Sequence, residues 1–349
     1  MRSALSRPQT DPTPIFEFFR GAYATELLTA AVAHFHVFEC FGAGPQTDDE
    51  LRLNLGLDDR PFVVLITALH AMGLLSRDEK NCLFPTDLAQ EHLVPELPFD
   101  VTGYVGLAAE SPGVLEMVER LRSNRPAGAE NPDTGVAFIF REGETSAMEQ
   151  EATARFLTLS LAGRAKNVAS SVATHAPLDD CKLLLDVGGG SGIYSIACLQ
   201  KHPQLRAIVW DRPEVLKVAQ EMAAKFAVGD RLICRAGDMF TDQIPENVDC
   251  MLLSNILHDW DVSECRALVS RCADALPNGG KLLVHDVFLN DELDGPLPIA
   301  LYSAALFTLT EGRAYSAAEY RRWLTEAGLV TGEIVPTLVH CGLLPATKG

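Results

Sequence analysis

Basic residues are scarce in this 349-residue chain: 29 Lys and Arg stand against 47 Asp and Glu, a formal net charge of −18. So acidic a surface repels a polyanion, which argues against nucleic acid as a partner. There is no uncharged apolar run of about 18 residues, the length a membrane-spanning helix needs, so no membrane association is expected. The opening stretch MRSALSRPQTDPTP lacks the apolar segment of a secretory signal, and the expectation is a cytoplasmic protein. The nine cysteines include no CxxC pair and no Cys/His group at zinc spacing. That speaks for reduced, mostly buried thiols and against a disulfide framework or a metal site. Repeats and low-complexity tracts are also missing.

What is present is an ordinary globular composition, 47% hydrophobic, in a chain long enough for two domains. Residues 1–14 hold three prolines and read as an arm rather than a core element. Over residues 15–41 apolar side chains recur at helical spacing (Phe18, Phe19, Tyr23, Leu27, Leu28, Ala31, Phe35). This predicts one long or two consecutive helices, ended by a turn at residues 42–45. Thr47 and Glu50 form a capping-box pattern for TDDELRLNLGL, and Asp58 or Asp59 can cap RPFVVLITALHAMGLL. LSRDEKNCLFPTDLAQEHL then offers two short strands about a polar turn and a small helix, which completes a winged-helix pattern. The helix that would read DNA opens with two aspartates and is apolar on most faces, so the pattern suits packing or dimerisation. Residues 101–175 read as helical, with an exposed loop at residues 125–135 and a single helix from Arg155 to Val172.

After Pro177 short apolar runs (KLLLDVG, AIVWD, RLICRAGD, VDCMLLSN, KLLVHDVF) alternate with amphipathic stretches such as VLKVAQEMAAKFA and ECRALVSRCADAL. Repeated βα units imply a mostly parallel, doubly wound α/β sheet with its ligand at the carboxyl ends of the strands. The expected division is therefore residues 1–100, winged-helix-like and dimer-forming; 101–175, a helical connector contributing to the substrate pocket; and 176–349, the nucleotide-binding domain.

Asp186-Val187-Gly188-Gly189-Gly190-Ser191-Gly192 follows an apolar strand and opens a helix. Glycines let the chain turn tightly and let a ligand lie against bare backbone beside unpaired helix N–H groups. Gly188 and Gly190 match the first two glycines of the dinucleotide fingerprint GxGxxG, but Ile193 stands at the third. Asp186 leading the turn suits a ligand with an amino group and no pyrophosphate. Asp211 ends the next strand, where a carboxylate can bind both ribose hydroxyls. Together these favour S-adenosylmethionine (SAM) over NAD.

Gly237-Asp238-Met239-Phe240 closes a third strand, where Asp238 can accept from an adenine amino group and Met239 can pack the ring. A plain strand-end loop with an exposed Asp is the alternative. After the fourth strand comes Ser254-Asn255-Ile256-Leu257-His258-Asp259-Trp260, beside the expected crevice. A phenol of pKa about 10 must lose its proton to be methylated, and neutral imidazole, pKa about 6.5, is the usual acceptor at cellular pH.

On DVGGGSG, Asp211, GDMF, LHDW, PNGGKLLVHD and the late EGRAYSAAEYRRWLTEAGL segment, the chain resembles the small-molecule O-methyltransferase family that includes caffeic acid, hydroxyindole and bacterial antibiotic O-methyltransferases. Its N-terminal winged helix is similar to that family's dimerisation domain. The resemblance implies a SAM-binding methyltransferase domain that releases S-adenosylhomocysteine. By position it implies that Gly188 and Asp211 hold the cofactor's backbone and ribose, beside Asp186 and Gly190 of the same turn, and that Asp238 and Met239 hold its adenine, with Trp260 packed beside it. His258 becomes the general base, oriented by Asp286. Ser254 stands where plant members carry a Lys that contacts the cofactor. The second supporting Glu of plant members falls at Ala314, and Glu311 from a neighbouring turn is the candidate substitute.

Phe156, Leu161, Tyr302 and Phe307 would give an apolar, partly aromatic lining suited to a flat, uncharged small-molecule acceptor. A homodimer through the apolar N-terminal helices is expected. C- or N-methylation on the same scaffold, and a SAM-sensing winged-helix regulator, are the alternatives.

Overall fold

The computed structural model describes residues 3–125 and 151–349. Two consecutive helices, α1 (Thr13–Arg20) and α2 (Ala22–Thr29), open the chain, and a π-helical turn (Ala30–His34) and a 3-10 segment (Val37–Ala43) extend the run. The capping box forms before α3 (Asp48–Leu55): Glu50 N–H donates to Thr47 Oγ1 at 3.3 Å and Thr47 N–H donates to Glu50 Oε2 at 2.9 Å. Asp58 precedes α4 (Asp59–Ala71) without capping it, because its carboxylate accepts from Asn124 Nδ2 at 3.2 Å instead. The hairpin β1 (Leu75–Arg77) and β2 (Leu83–Pro85), then α5 (Asp87–His92), complete the winged-helix order. The apolar face of α4, including Phe62, Leu65 and Leu69, is buried, so the helix is a core element rather than a reader of DNA.

There follow α6 (Thr102–Val105), α7 (Pro112–Ser123), α8 (Glu151–His175), β3 (Leu183–Val187), α9 (Ile193–Lys201), β4 (Arg206–Asp211), α10 (Pro213–Lys225), β5 (Leu232–Ala236) and β6 (Cys250–Ser254). The chain ends with α11 (Val262–Ala275), β7 (Lys281–Val287), α12 (Leu297–Leu309), α13 (Ala317–Glu326), β8 (Leu329–Thr331), β9 (Val335–Pro336) and β10 (Cys341–Lys348). The loop expected at residues 125–135 lies outside the described residues, Arg125 apart.

Two compact units result: Ile15–Ala137 with Leu289–Ser316, mainly helical, and Met1–Pro14 with Phe138–Phe288 and Ala317–Gly349, built on the large sheet. They do not follow the consecutive segments 1–100, 101–175 and 176–349. The N-terminal arm groups with the sheet because Ala4 N–H donates to Gln200 Oε1 and Ser170 Oγ donates to Leu5 O, each at 2.8 Å. Helix α8 packs on α9 and α10. In the helical unit, α12 returns late in the sequence to place Leu301, Ala304 and Phe307 in the core formed by α2, α4 and α7.

In the α/β unit, β5, β4, β3, β6 and β7 run parallel in that order, β10 pairs antiparallel with β7, and β8 and β9 each pair antiparallel with β10. The five parallel strands match the five apolar runs. The antiparallel strands at the C-terminus were not anticipated. No described helix is long and apolar enough to cross a membrane. Among the described residues no group of three or more His, Cys, Asp or Glu side chains could hold a metal ion.

Candidate active site

From β3 the chain adds β4 and β5 on one side, then crosses to add β6 and β7 on the other. The reversal opens a crevice past the carboxyl ends of β3 and β6. On the β3 side, Gly188, Gly190 and Gly192 take φ of 63°, 59° and 68°, a left-handed path that only glycine follows cheaply. A Cβ on Gly188 would stand 2.5 Å from Ile256 Cδ1, so its absence lets the loop after β6 approach the turn. At Gly190 nothing lies within 4 Å of that position, and bare backbone faces open space.

Beneath the turn, Asp186 is buried. Its Oδ2 accepts from Ser195 Oγ at 2.7 Å, while Oδ1 has no partner. Burial drives its pKa up to about 7. An orphaned carboxylate oxygen below a glycine cradle fits a ligand that donates from an ammonium group, as SAM does. Asp211 Oδ2 accepts from Gly190 N–H at 2.8 Å and Oδ1 from Arg212 N–H at 2.7 Å, tying the end of β4 to the turn. Burial also raises the Asp211 pKa.

Asp238 is exposed, and its Oδ1 accepts from Phe240 N–H at 2.7 Å and Thr241 N–H at 3.1 Å, so this carboxylate organises its own loop. Met239 is half-buried, and its carbonyl accepts from Arg271 Nε at 3.2 Å. Phe240 meets Trp260 edge to face, with centroids 4.7 Å apart. That contact joins the loops after β5 and β6 into one aromatic wall.

His258 is 3% exposed, and its Nδ1 lies 2.5 Å from Asp286 Oδ1. Its Nε2 lies 3.6 Å from Asp259 Oδ1. Burial alone would lower the imidazole pKa, but the two carboxylates and the hydrogen bond to Asp286 outweigh it and raise the pKa overall. Asp259 is pushed up to about 7, chiefly by burial, with the His258 charge opposing. Asp286 Oδ1 also accepts from Val287 N–H at 2.8 Å.

Ser254 does not present a free hydroxyl to the crevice. It pairs with His285 Nδ1 at 2.8 Å and accepts from Asn255 Nδ2 at 3.1 Å. Sequence reasoning missed His285, Asn255, Arg164 and the role of Asp259. Of these only Asp259 carried a signal, its place beside His258 in LHDW.

Phe156 and Leu161 are exposed on α8. Tyr302, Phe307, Glu311 and Ala314 belong to the helical unit. There Phe307 is fully buried in the apolar core beneath the Arg60 guanidinium, which makes it a core residue and corrects its assignment to an acceptor lining. Tyr302 lies under the Arg20 guanidinium at 3.6 Å. Ala314 N–H donates to Ser303 Oγ at 3.1 Å. Within the α/β unit, the carboxylates beside His258 are Asp286 and Asp259.

A family model described as an O-methyltransferase domain matches residues 130–330. The 3-hydroxy-5-methyl-1-naphthoate 3-O-methyltransferase of Streptomyces sahachiroi is 36% identical over 91% of this chain and 89% of its own length. The L-tyrosine C(3)-methyltransferase of Streptomyces lavendulae is 30% identical over 88% of this chain and 84% of its own. The structure of an O-methyltransferase family 2 protein from Planctomyces limnophilus in complex with apigenin superposes with a TM-score of 0.91 at 48% identity, covering 100% of this chain and 99% of that one. The chain belongs to the family of SAM-dependent O-methyltransferases.

Proposed function

We propose that this chain methylates a hydroxyl of a small aromatic molecule, with His258 as general base. The observation that carries the reading is the 2.5 Å bond between His258 Nδ1 and Asp286, at the end of the loop that touches the glycine turn. An Nδ1–H donated to Asp286 fixes the tautomer whose Nε2 has a lone pair to accept a proton. Bound SAM supplies an electrophilic methyl group on a sulfonium sulfur. As the acceptor oxygen forms its bond to that methyl and the carbon–sulfur bond breaks, the hydroxyl proton passes to His258 Nε2. The imidazolium so formed lies between Asp286 and Asp259, which stabilise its charge.

Asp186 and the turn at Gly188 and Gly190 would hold the amino-acid end of SAM, Asp211 the ribose, and Asp238, Met239 and Trp260 the adenine. Ser254, committed to His285, supports the loop rather than the cofactor. Phe156 and Leu161 offer apolar surface to an aromatic acceptor. The relatives named above act on a naphthoate and on tyrosine and bind apigenin, which supports an aromatic acceptor here. Methylation of a ring carbon is the second reading, favoured by the similarity to the tyrosine C(3)-methyltransferase. Incubation with methyl-labelled SAM and a panel of phenols and hydroxynaphthoates, followed by mass and NMR analysis, separates the two. An O-methyl product is expected, and label confined to carbon overturns it.

The helical unit leaves Phe18 and Phe19 of α1 exposed at 83% and 82%. Large apolar side chains side by side on a surface support a homodimer through this unit. Sedimentation at micromolar concentration is expected to give a dimer, and a monomer overturns it. Nine free thiols fit a reducing, cytoplasmic setting.

A further inference from the structure

A closed circuit of hydrogen bonds lies at the root of the loop that carries His258, wholly within the α/β unit. Arg164, on α8, donates from Nη1 to Asn255 Oδ1 at 2.7 Å and from Nη2 to Cys341 Sγ at 3.0 Å. A guanidinium only donates, so the amide oxygen of Asn255 must face it and the amide NH2 must face away. That NH2 donates to Ser254 Oγ at 3.1 Å. Ser254 Oγ pairs with His285 Nδ1 at 2.8 Å, and His285 Nε2 pairs with Thr337 Oγ1 at 3.1 Å. The backbone closes the circuit, Thr337 N–H to Cys341 O at 2.8 Å.

Burial, reinforced by the Arg164 charge, pushes the His285 pKa down to about 3, so this imidazole relays the bonds as a neutral group. With His285 in the Nε2–H tautomer, every donor from Arg164 through Asn255, Ser254 and His285 to Thr337 points the same way, an arrangement in which each bond polarises the next.

Two of the five side chains on that path are joined by sequence to the catalytic pair. Asn255 has φ of 56°, a left-handed conformation that few residues with a Cβ adopt, Asn among them, and it begins the loop that leads to His258. His285 directly precedes Asp286. The loop of the imidazole therefore starts from the circuit, and the strand of its carboxylate partner passes through it near its end.

We infer that Arg164 and Asn255 are positioning residues for methyl transfer: the circuit holds the left-handed turn at Asn255 and so fixes His258 against Asp286 and the glycine turn. This rests on His258 being the base. It assigns Arg164, on a helix that also presents Phe156 and Leu161, the task of tying that helix to the catalytic loop.

The test compares Asn255→Gly, Arg164→Met, Arg164→Lys and His258→Ala with the wild type. Glycine adopts φ of 56° without strain but lacks the amide, so it separates the backbone from the circuit. Asn255→Gly is expected to keep its Tm and its SAM affinity by calorimetry while kcat falls on the order of 10²-fold, the scale of a small misplacement of reacting groups. KM for the acceptor should change far less. Arg164→Met should lose kcat similarly, and Arg164→Lys, which keeps a donor for Asn255, should recover part of it. The Arg164 charge opposes protonation of His258, so the pH midpoint of kcat should move upward in Arg164→Met and less in Arg164→Lys.

Wild-type kcat in Asn255→Gly, or losses that only track the unfolded fraction with no change in pH midpoint, overturn the proposal. If His258→Ala is inactive in that same series, the base assignment survives and the positioning role alone has failed. Full activity in His258→Ala removes the base assignment itself.

Discussion

The two sides of the crevice are made of different materials. On the β3 side the surface is backbone: three glycines in left-handed conformation, with open space at Gly190 and one buried carboxylate below. On the β6 side it is side chain on side chain, His258 between Asp286 and Asp259 and the Arg164 circuit beneath. A backbone cradle recognises a ligand by letting it approach. A side-chain assembly acts by holding a titratable group in one tautomer and one place. Substitutions on the first side should therefore appear in binding, and those on the second in the rate and its pH dependence.

The largest effect is expected at His258. His258→Ala should lower kcat for a hydroxyl acceptor by about 10² to 10⁴, the usual worth of a positioned base, and leave SAM affinity by calorimetry unchanged. A matching loss of SAM affinity would erase the division between the two sides. Asp286→Ala should follow, with a loss on the order of 10²-fold as the imidazole loses its tautomer and orientation. Because the Asp286 charge raises the His258 pKa, the rising limb of the kcat–pH profile should shift to lower pH in this variant. A shift to higher pH would contradict the electrostatics.

Gly190→Ala tests the other side. The new Cβ meets nothing in the chain itself, so the variant should fold with a stability loss of about 1–2 kcal/mol from its left-handed backbone, while SAM Kd should rise at least about tenfold, or 1.4 kcal/mol. The pH profile of kcat at saturating SAM should not move.

The last effect falls on stability rather than on rate or binding. With a pKa raised to about 7, folded Asp186 keeps a proton that the unfolded chain releases in the ordinary carboxylate range. The native state then binds more protons than the unfolded state, and stability falls as pH rises toward about 7. Asp186→Asn removes that penalty. The variant should gain on the wild type by up to about 1.4 kcal/mol for each pH unit across that window and level off above it. Calorimetric Tm values at several pH values give the measurement, and parallel curves for the two proteins would refute it.

The same contrast explains what could be read without coordinates. LLLDVGGGSGI announces its strand, turn and helix because three glycines at fixed spacing have a strong local conformational meaning. Thr47 and Glu50 announce a helix start for a similar reason. His258 stands out because it follows a recognisable apolar strand, and Asp286 because the family resemblance points to the end of another. Arg164, His285 and Thr337 do not, because their partners lie far off in sequence and meet only once the sheet has formed. The strands β8, β9 and β10 escaped too. Two of them are very short, and β10 carries Pro345 inside its apolar run, which obscures the alternation expected of a strand. Phe307 misled because an aromatic at helical spacing reads the same whether it faces a ligand or a core.

The excursion Leu289–Ser316 leaves and rejoins at neighbouring points, since Leu289 N–H donates to Tyr315 O at 3.0 Å and Leu289 bridges Ser316. Within it α12 supplies Leu301, Ala304 and Phe307 to a core whose other members precede Ser123. A ribosome delivers the chain from its N-terminus, so α2, α4 and α7 emerge long before the helix that covers them. Most strands of the large sheet are synthesised in that interval. The first helices made can cover most of their apolar surface against one another, and the part that meets Leu301, Ala304 and Phe307 is closed only near the end of translation.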